Sequence, residues 1–517
     1  MQDIEINDKF SYSLDLIENS NKSLFITGKA GTGKSTLLDH FSKITKKSPV
    51  ILAPTGIAAI NVKGQTIHNF FRFYVDVTPE KIHNLDVRPR DIKIYRNLKT
   101  IIIDEVSMVR ADLLDCIDAF LSLYGPKIGE PFGGVQMVFV GDLYQLPPVV
   151  QRDEGEIFTS HYETPYFFSA HVLKNFELEI IELEKIYRQK DQDFVKLLNR
   201  IRNNAVDNKD IDQLNTRLLT HNKKEENKFY ISLTTTNKKA DEINDSHLNA
   251  LNGKMVSFPA IINGDFAKEY FPTGRDLQAK VGAQIMMLNN DPKKRWVNGT
   301  IGVIKAIKTN DEDEPYIKVT LENDDSWVNV YPHEWELFQF SFNGKAIVSK
   351  QIGTFTQFPF RLAWAVTIHK SQGKTFDHVI VDIGSGTFAS GQLYVALSRC
   401  TSFSGILLQT PIAKHHIRTD HRIVKYLKKN QPNKTPNSLT LEEKIAMIQQ
   451  AIKENAKLTI TYIKADDSTS EQTVTPITIG NRTYLGQPYP GMRAFSFTIQ
   501  ETKMFHVDRI LMLKKVD

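Results

Sequence analysis

Residues Gly28-Lys29-Ala30-Gly31-Thr32-Gly33-Lys34-Ser35 have the spacing G-x-x-x-x-G-K-[ST]. They follow the apolar run Ser23–Thr27 and precede a predicted helix that begins at Thr36. Glycines let backbone N–H groups close around phosphate oxygens without Cβ interference, and the N-terminus of a helix favours an anion. The alternative, a glycine-rich turn before an ordinary helix, fits this strand and helix context less well. The stretch therefore predicts a site for the phosphates of a nucleotide.

Two side chains of this loop have expected chemical roles. Lys34 would reach the β- and γ-phosphates, and the hydroxyl of Ser35 would bind Mg²⁺. The candidate nucleotide-binding residues of the loop are Gly28, Ala30, Gly31, Thr32, Gly33, Lys34, Ser35 and Thr36.

A second group of candidates follows two further apolar runs. Thr100–Ile103 is β-branched throughout and ends in Asp104 and Glu105. A continuously apolar strand is typical of a parallel sheet that is covered on both faces. Two carboxylates at its end are costly to bury unless they meet a cation or a polar substrate. We expect Asp104 to hold Mg²⁺ and Glu105 to polarise an attacking water, while Gln145 after the run Gln136–Val140 would sense the γ-phosphate.

Bulk composition sets limits on the class of protein. A chain of 517 residues is too long for one core and predicts three or four domains. The net charge of +5 permits an anionic partner without requiring one. Cys116 and Cys400 fit no zinc or redox spacing and are expected to be buried thiols. The acidic N-terminus predicts no signal peptide, and no apolar run approaches the roughly 20 residues that span a bilayer. These features predict a cytoplasmic protein, associated with the nucleoid if it is bacterial.

The order of the motifs resembles that of a known family. The loop, the turn Pro54–Ala59, Asp104-Glu105 and the segment Gly141–Pro148 are similar to those of superfamily 1 helicases of the PIF type, relatives of RecD. Matching segments continue down the chain to about residue 405: they are Leu183–Gln189, Phe194–Arg202, Leu233–Asn237 with Ala240–Asn244, Leu362–Gly373 and Gln392–Arg399. The resemblance implies ATP and Mg²⁺ as cofactors and single-stranded DNA and DNA junctions as partners.

The resemblance also implies roles for residues of the second half. Closure of a second domain would deliver Arg188 and Arg399 to the γ-phosphate, where arginine suits because it is permanently charged and binds phosphate bidentately. Gly373 falls on the ATP side. The nucleic-acid side takes Thr55, Gly56, Thr66, His68, Thr234, Asn237, Thr367, His369 and Lys370. The family's adenine-reading glutamine before the loop has no counterpart here, because Gln2 stands at the wrong distance.

The implied fold class is α/β, with two RecA-like P-loop domains. Residues 1–182 form the first domain, with a small insert at about 72–99, and residues 183–430 form the second. Short runs rich in Val, Ile, Thr and Trp, separated by turn clusters, predict a small antiparallel β-barrel inserted at about 252–354, which the resemblance makes SH3-like. Residues 431–438 form a linker, and residues 439–517 resemble a mostly-β WYL domain with an unknown ligand or nucleic acid as partner. A structural cap is the alternative for this tail.

The function implied is an ATP-dependent DNA helicase that translocates 5′→3′ on single-stranded DNA as a monomer and unwinds duplex or structured DNA. Such enzymes serve DNA repair, replication, recombination and telomere maintenance. Two alternatives remain: a nucleotide-gated DNA-binding regulator, and the motor subunit of a larger repair or nuclease complex. RNA and DNA–RNA hybrid substrates stay open.

Overall fold

The computed structural model of the chain describes most of its length. The described residues are 8–74, 76–150, 158, 160–189, 191–220, 222, 224–225, 228–309, 315–322, 327–384, 386–387, 389–430, 441–463, 469–484, 487–507 and 510–515. The predicted linker at 431–438 therefore lies outside the described residues. The chain forms two compact units, Met1–Lys428 and Lys429–Asp517, which are described separately below.

The first part of the larger unit is built on a six-stranded parallel sheet. Its strands are β1 (Ser23–Gly28), β2 (Val50–Ala53), β3 (Gln65–Thr66), β4 (Thr100–Ile103), β5 (Gln136–Val140) and β6 (Leu178–Leu183). The order across the sheet is β3-β2-β4-β5-β1-β6. Every residue of β1, β2, β4 and β5 is buried, as their apolar runs predict. The carboxyl ends of parallel strands meet at one edge, so the loops that follow these strands converge there.

Helices cover both faces of this sheet. They are α1 (Asp8–Asn19), α2 (Lys34–Ile44), α3 (Gly56–Asn61), α4 (Ile67–Phe71), α5 (Pro79–His83), α6 (Ile92–Arg96) and α7 (Ala111–Tyr124), with short 3₁₀ turns at Val106–Met108, Pro131–Gly134, Phe167–Ser169 and His171–Lys174. The basic segment at about 72–99 is ordered through α5 and α6, because Ile82 and Tyr95 are buried in the core of this part. Phe158, Tyr166 and Phe167 are also buried there.

The second part of the larger unit contains a four-stranded parallel sheet and an antiparallel insertion. Its strands are β7 (Ile231–Thr234), β8 (Val256–Pro259), β9 (Ile261–Gly264), β10 (Asp276–Ala279), β11 (Gln284–Met287), β12 (Ile301–Thr309), β13 (Pro315–Leu321), β14 (Trp327–Val330), β15 (His333–Phe342), β16 (Ile347–Gln357), β17 (Phe360–Leu362), β18 (Ala365–Thr367), β19 (Val379–Asp382) and β20 (Ile406–Leu408). The parallel sheet has the order β18-β7-β19-β20. Its helices are α8 (Gln192–Arg202), α9 (Asn208–Asn215), α10 (Asn237–Ala250), α11 (Gln392–Ser398) and α12 (His421–Asn430), with 3₁₀ turns at Lys268–Tyr270, His369–Ser371 and Lys414–His416.

The insertion is antiparallel, as its short alternating runs predict. A five-stranded sheet has the order β14-β13-β12-β11-β17, a three-stranded sheet the order β15-β16-β9, and β10 pairs with β8. Ile285, Ile304, Ile317 and Phe360 form its fully buried core. Within the described residues the five-stranded sheet is open, with β14 and β17 at its edges, so closure into a barrel stays a prediction.

From residue 441 onwards, the described part of the smaller unit contains one helix and one antiparallel sheet. The helix is α13 (Leu441–Glu454), and the strands are β21 (Leu458–Ile463), β22 (Thr469–Tyr484), β23 (Gln487–Ser496), β24 (Glu501–His506) and β25 (Ile510–Lys515), in the order β24-β23-β22-β21-β25. Ile448 from the helix packs with Leu458, Ile460 and Met492 from the sheet. The unit is mostly β, as predicted. Leu485, Asp508 and Arg509, which belong to its WYL-like segments, lie outside the described residues.

Candidate functional site

The glycine loop between β1 and α2 is held in a backbone conformation that favours glycine. Gly31 and Gly33 have φ angles of 81° and 87°, in the left-handed region. A Cβ on Gly31 would also lie only 2.5 Å from the Cβ of Arg188. The backbone conformation and the neighbouring side chain therefore both exclude a larger residue at this position. The N–H of Tyr187 donates to the Gly31 carbonyl at 2.9 Å. The loop is thus packed directly against the segment that carries Arg188.

Lys34 points into the base of this loop. Its Nζ donates to the carbonyls of Gly28 at 2.7 Å and Lys29 at 3.1 Å. Burial lowers the pKa of Lys34, and the charges of Asp142 and Glu105 oppose that shift. The ammonium is therefore fixed beside the loop glycines, with acids nearby that favour its charged form.

Asp104 and Glu105 lie where β4 ends and form a buried acid pair. Burial, and then the charge of Glu105, raise the pKa of Asp104 to about 7. Burial also raises the pKa of Glu105, and Lys34 and Arg399 oppose that shift. Both carboxylates and Ser35 line one cleft. A carboxylate and a hydroxyl are ligands that suit Mg²⁺, which also keeps water and substrate phosphate oxygens in its shell. Within the described residues no group of three His, Cys, Asp or Glu side chains offers an alternative metal site.

Two arginines, one that follows β6 and one at the end of α11, reach the same place. Arg188 donates from Nη1 to the Ser398 carbonyl at 3.3 Å and from Nη2 to the Gly373 carbonyl at 3.4 Å. Arg399 is buried at the end of α11, where its Nε donates to the Val395 carbonyl at 3.0 Å. Burial, and then the charge of Arg399, lower the pKa of Arg188 to about 9. Arg188 is half-buried and Arg399 is buried, and two guanidinium groups that repel each other favour an anion between them.

One cavity of about 570 Å³, hereafter the loop cavity, brings most of the predicted catalytic and nucleotide residues together. The predicted residues that line it are Ala30, Gly31, Thr32, Gly33, Lys34, Ser35, Thr36, Glu105, Gln145, Arg188, Gly373 and Arg399. Gly28 lies behind the loop as the acceptor for Lys34. Asp104 lines the adjoining cleft, a second cavity of about 520 Å³ that shares Ser35, Glu105 and Gly373 with the first.

Gln145 connects the two parallel-sheet parts. Its Nε2 donates to Oδ2 of Asp142 at 3.2 Å, and its Oε1 accepts from Nε2 of Gln372 at 3.4 Å. The same region contains two residues that sequence reasoning missed. Arg202 at the end of α8 pairs with Asp142 at 3.4 Å, and the hydroxyl of Tyr394 accepts from the Ala30 N–H at 3.2 Å. Tyr394 stands inside the motif Gln392–Arg399, and its place in that motif was the signal available in the sequence.

The predicted nucleic-acid residues divide into three groups. Thr55, His369 and Lys370 line the adjoining cleft. Gly56, Thr66, Thr234 and Thr367 are buried instead, and the three hydroxyls make internal bonds: Thr66 with the Tyr270 hydroxyl at 2.9 Å, Thr234 with the Thr236 carbonyl at 3.1 Å, and Thr367 with the Lys370 N–H at 3.3 Å. These residues shape the loops around the cleft. Asn237 is exposed at the start of α10, and His68 is half-buried, with a pKa that burial lowers.

Comparison with known proteins decides the family. Residues 8–212 match the family model described as PIF1-like helicase, and residues 362–402 match the UvrD-like helicase C-terminal domain. The ATP-dependent DNA helicase Pif1 of Campylobacter jejuni is 30% identical over 401 residues, which are 74% of this chain and 87% of that protein. The chain belongs to the PIF1-like helicase family.

Further relatives define how far the likeness extends. The ATP-dependent DNA helicase PIF1 of Danio rerio is 33% identical over 394 residues, which are 75% of this chain and 58% of that protein. The chain thus spans about three fifths of the length of the vertebrate PIF1 relatives that it matches. The crystal structure of Bacteroides sp Pif1 in complex with ADP-AlF4 superposes with a TM-score of 0.77 at 34% identity, over 84% of this chain and 98% of that one. This likeness makes the two parallel-sheet parts RecA-like domains.

Proposed function

We propose that the protein is an ATP-dependent DNA helicase that hydrolyses ATP to ADP and phosphate as it moves along single-stranded DNA. The observation that carries the proposal is the meeting of two domains at one cavity: the phosphate loop and Glu105 come from the first, and Arg188 and Arg399 from the second. An ATPase whose catalytic charges come from two domains converts hydrolysis into relative domain motion. The relatives carry the name ATP-dependent DNA helicase, and a Bacteroides Pif1 is known bound to single-stranded DNA.

Residues of the loop cavity and the adjoining cleft divide the tasks of hydrolysis between them. Lys34 binds the β- and γ-phosphates, and Glu105 accepts a proton from the attacking water while Gln145 orients it. Arg188 and Arg399 neutralise the charge that builds on the γ-phosphoryl group in the transition state. Ser35 and Asp104 would hold Mg²⁺, which supplies a positive charge on the phosphate oxygens. Because Arg188 and Arg399 belong to the second domain, hydrolysis requires the domains to be closed.

Gly373 provides the connection between hydrolysis and movement. It lines both the loop cavity and the adjoining cleft, and its carbonyl accepts from Arg188. Thr55 on the first domain and His369 and Lys370 on the second line the cleft. Closing and opening of the domains would therefore move the strand contacts of the first domain relative to those of the second. The direction 5′→3′ and action on DNA junctions, in repair or replication, follow from the family alone.

The finer architecture belongs to the same proposal. The antiparallel insertion within the second domain would be an SH3-like contact to the strand, and the smaller unit a WYL-like domain that binds a ligand or nucleic acid. We also propose that the protein is cytoplasmic and monomeric, with domain limits at 1–182, 183–430 and 439–517. Within the described residues, no helix has the length and apolar character that crossing a bilayer requires.

Unwinding assays on forked duplexes test the proposal. A fork with a single-stranded 5′ tail should be unwound in the presence of ATP and Mg²⁺, a fork with only a 3′ tail should not, and Lys34→Ala should be inactive on both. ATP hydrolysis without displacement of either strand would contradict the helicase assignment and favour a nucleotide-gated DNA-binding regulator.

A further inference from the structure

Three basic side chains converge on the wall of the adjoining cleft and form a cluster, hereafter the cation trio. They are Arg361 on β17, Lys370 in the 3₁₀ turn after β18, and Lys374 just beyond that turn. Lys370 was predicted from the family motif to face nucleic acid. Arg361 and Lys374 were not among the predicted site residues.

The trio is short of counter-charge. Arg361 donates from Nη2 to the Pro272 carbonyl at 2.7 Å, and its buried Nε has no hydrogen-bond partner among the described residues. Nζ of Lys374 donates to the side-chain carbonyl of Asn298, a neutral acceptor. Across the described part of the chain, no carboxylate lies within ion-pair distance of Arg361, Lys370 or Lys374, although the charge of Asp241 acts on Lys370 from α10.

The charge of Arg361 acts on both lysines of the trio. Burial alone lowers the pKa of Arg361. Burial, and then the charge of Arg361, lower the pKa of Lys374 to about 7, and the same two causes lower the pKa of Lys370. Arg361 and Lys374 are half-buried and Lys370 is exposed, and like charges that act on one another are costly unless an opposite charge compensates them. An anion with several oxygens in the cleft would compensate the guanidinium and both ammonium groups together.

We propose that Arg361, Lys370 and Lys374 form a subsite for one backbone phosphodiester of the bound single strand. The inference rests on the proposed function and adds Arg361 and Lys374 to its nucleic-acid contacts. The cleft of about 520 Å³ is too large for a phosphate alone, and Trp335 and Thr55 line it together with the trio, so sugar and base also find surfaces there. Lys374 follows Gly373, which lines both the loop cavity and the cleft, so the chain connects this subsite directly to the nucleotide site.

Salt dependence of binding tests this subsite. Binding of fluorescent oligo-dT without nucleotide is followed by anisotropy over a salt series for the full-length protein, Lys374→Gln, Arg361→Gln, Lys374→Arg and the control Lys196→Gln. Lys196 is exposed on α8, lies outside both cavities and pairs with Asp193. Each lost phosphate contact should reduce the slope of log Kobs against log[salt] by about 0.7. We expect a smaller slope in both Gln variants, by at most this amount because the other two cations still contact the same phosphodiester, and the wild-type slope in Lys374→Arg and Lys196→Gln.

Three results would contradict the inference, and each has a different meaning. Wild-type slopes in a folded Lys374→Gln and a folded Arg361→Gln would overturn the subsite and leave the proposed function intact. Stabilisation of the wild type by inorganic phosphate at constant ionic strength, lost in Lys374→Gln while the oligo-dT slope stays unchanged, would assign the site to free phosphate instead. Failure of the wild type to bind oligo-dT at all would overturn the proposed function together with the subsite. Melting temperatures establish folding, and Lys374 is the informative position if Arg361→Gln unfolds.

Discussion

At the scale of single residues, Lys34 shows how a short motif determines chemistry. The loop glycines fix the backbone, and the Gly28 and Lys29 carbonyls hold the ammonium beside the place where the phosphates bind. A permanent positive charge is needed there because the β- and γ-phosphates carry several negative charges in a poorly solvated cavity.

Replacing Lys34 by Ala removes that charge and should lower kcat for ATP hydrolysis by about 100-fold or more, the usual loss for one preorganised charge contact. Lys43→Ala is the matched control, because Lys43 stands on the same helix, is exposed and pairs with Asp39. Steady-state phosphate release measures both. Substantial turnover in Lys34→Ala would mean that the loop cavity has been assigned wrongly.

Glu322 at the end of β13 offers a test that concerns stability. Burial, and then the charge of Asp377, raise its pKa to about 7, and its Oε1 has no hydrogen-bond partner within the described residues. A carboxyl whose folded pKa exceeds its unfolded pKa destabilises the protein as pH rises from the unfolded value, about 4.3, through about 7. Glu322→Gln should therefore match the wild type at pH 5 and be more stable by about 1–2 kcal/mol at pH 8, after allowance for solvent screening.

Thermal unfolding at the two pH values measures this effect. Glu336→Gln serves as the control, because Glu336 is an exposed acid on strand β15 of the same insertion. An equal change of Tm at pH 5 and pH 8 for Glu322→Gln would show that ionisation of this carboxyl is not the cause.

Where spacing along the chain carries the chemistry, the structure brings the predicted residues together, and their roles stay predictions. The phosphate loop, Asp104-Glu105 and the two arginines each stand in a short motif, and the loop cavity gathers most of them. Arg361 and Lys374 were not among the predicted site residues. A shortage of counter-charge depends on which acids the fold brings near, and a local sequence does not contain that information. Thr66 and Thr234 were expected to face nucleic acid, but burial gives their hydroxyls internal partners.

At the scale of elements, the parallel strands were predictable and the contacts between loops were not. Continuous apolar runs indicate strands that are buried on both faces, and β1, β2, β4 and β5 follow that rule. The seven-residue helix α11 shows the limit of such reasoning. It is preceded by Gly391 with φ 74°, where an added Cβ would meet the Tyr144 and Gln145 carbonyl oxygens at 2.3 and 2.4 Å.

Gly391→Ala should push α11 away from the Gln145 loop and so misplace Arg399. We expect a loss of stability of about 2–4 kcal/mol, from the left-handed backbone and the backbone clash together, and a lower kcat for ATP hydrolysis. Gly344→Ala is the matched control: φ is 96° there and nothing lies within 4 Å of an added Cβ, so only the backbone cost of about 1–2 kcal/mol remains. Equal losses of stability and unchanged kcat in both variants would contradict the close contact.

At the scale of the whole molecule, the chain separates into two units with separate cores. The larger contains both RecA-like domains, and the smaller has its own core, which includes Ile448, Leu458 and Met492. The antiparallel character of the insertion was predictable from short alternating runs, whereas closure of a sheet depends on long-range pairing that local patterns do not specify.

Truncation after Asn430 should leave an active ATPase, because the loop cavity and the adjoining cleft are both built within the larger unit. We expect kcat for DNA-stimulated ATP hydrolysis to stay within about threefold of the full-length value and a cooperative thermal transition to persist. Loss of ATPase in a folded fragment would show that the smaller unit contributes to the motor.

The most direct test of the account is steady-state ATP hydrolysis by the full-length protein with and without oligo-dT, at one low salt concentration. If strand binding in the adjoining cleft controls closure of Arg188 and Arg399 on the loop cavity, oligo-dT should raise kcat by at least about tenfold, a barrier change of roughly 1.4 kcal/mol. Equal rates with and without DNA would contradict the coupling on which the proposed function depends.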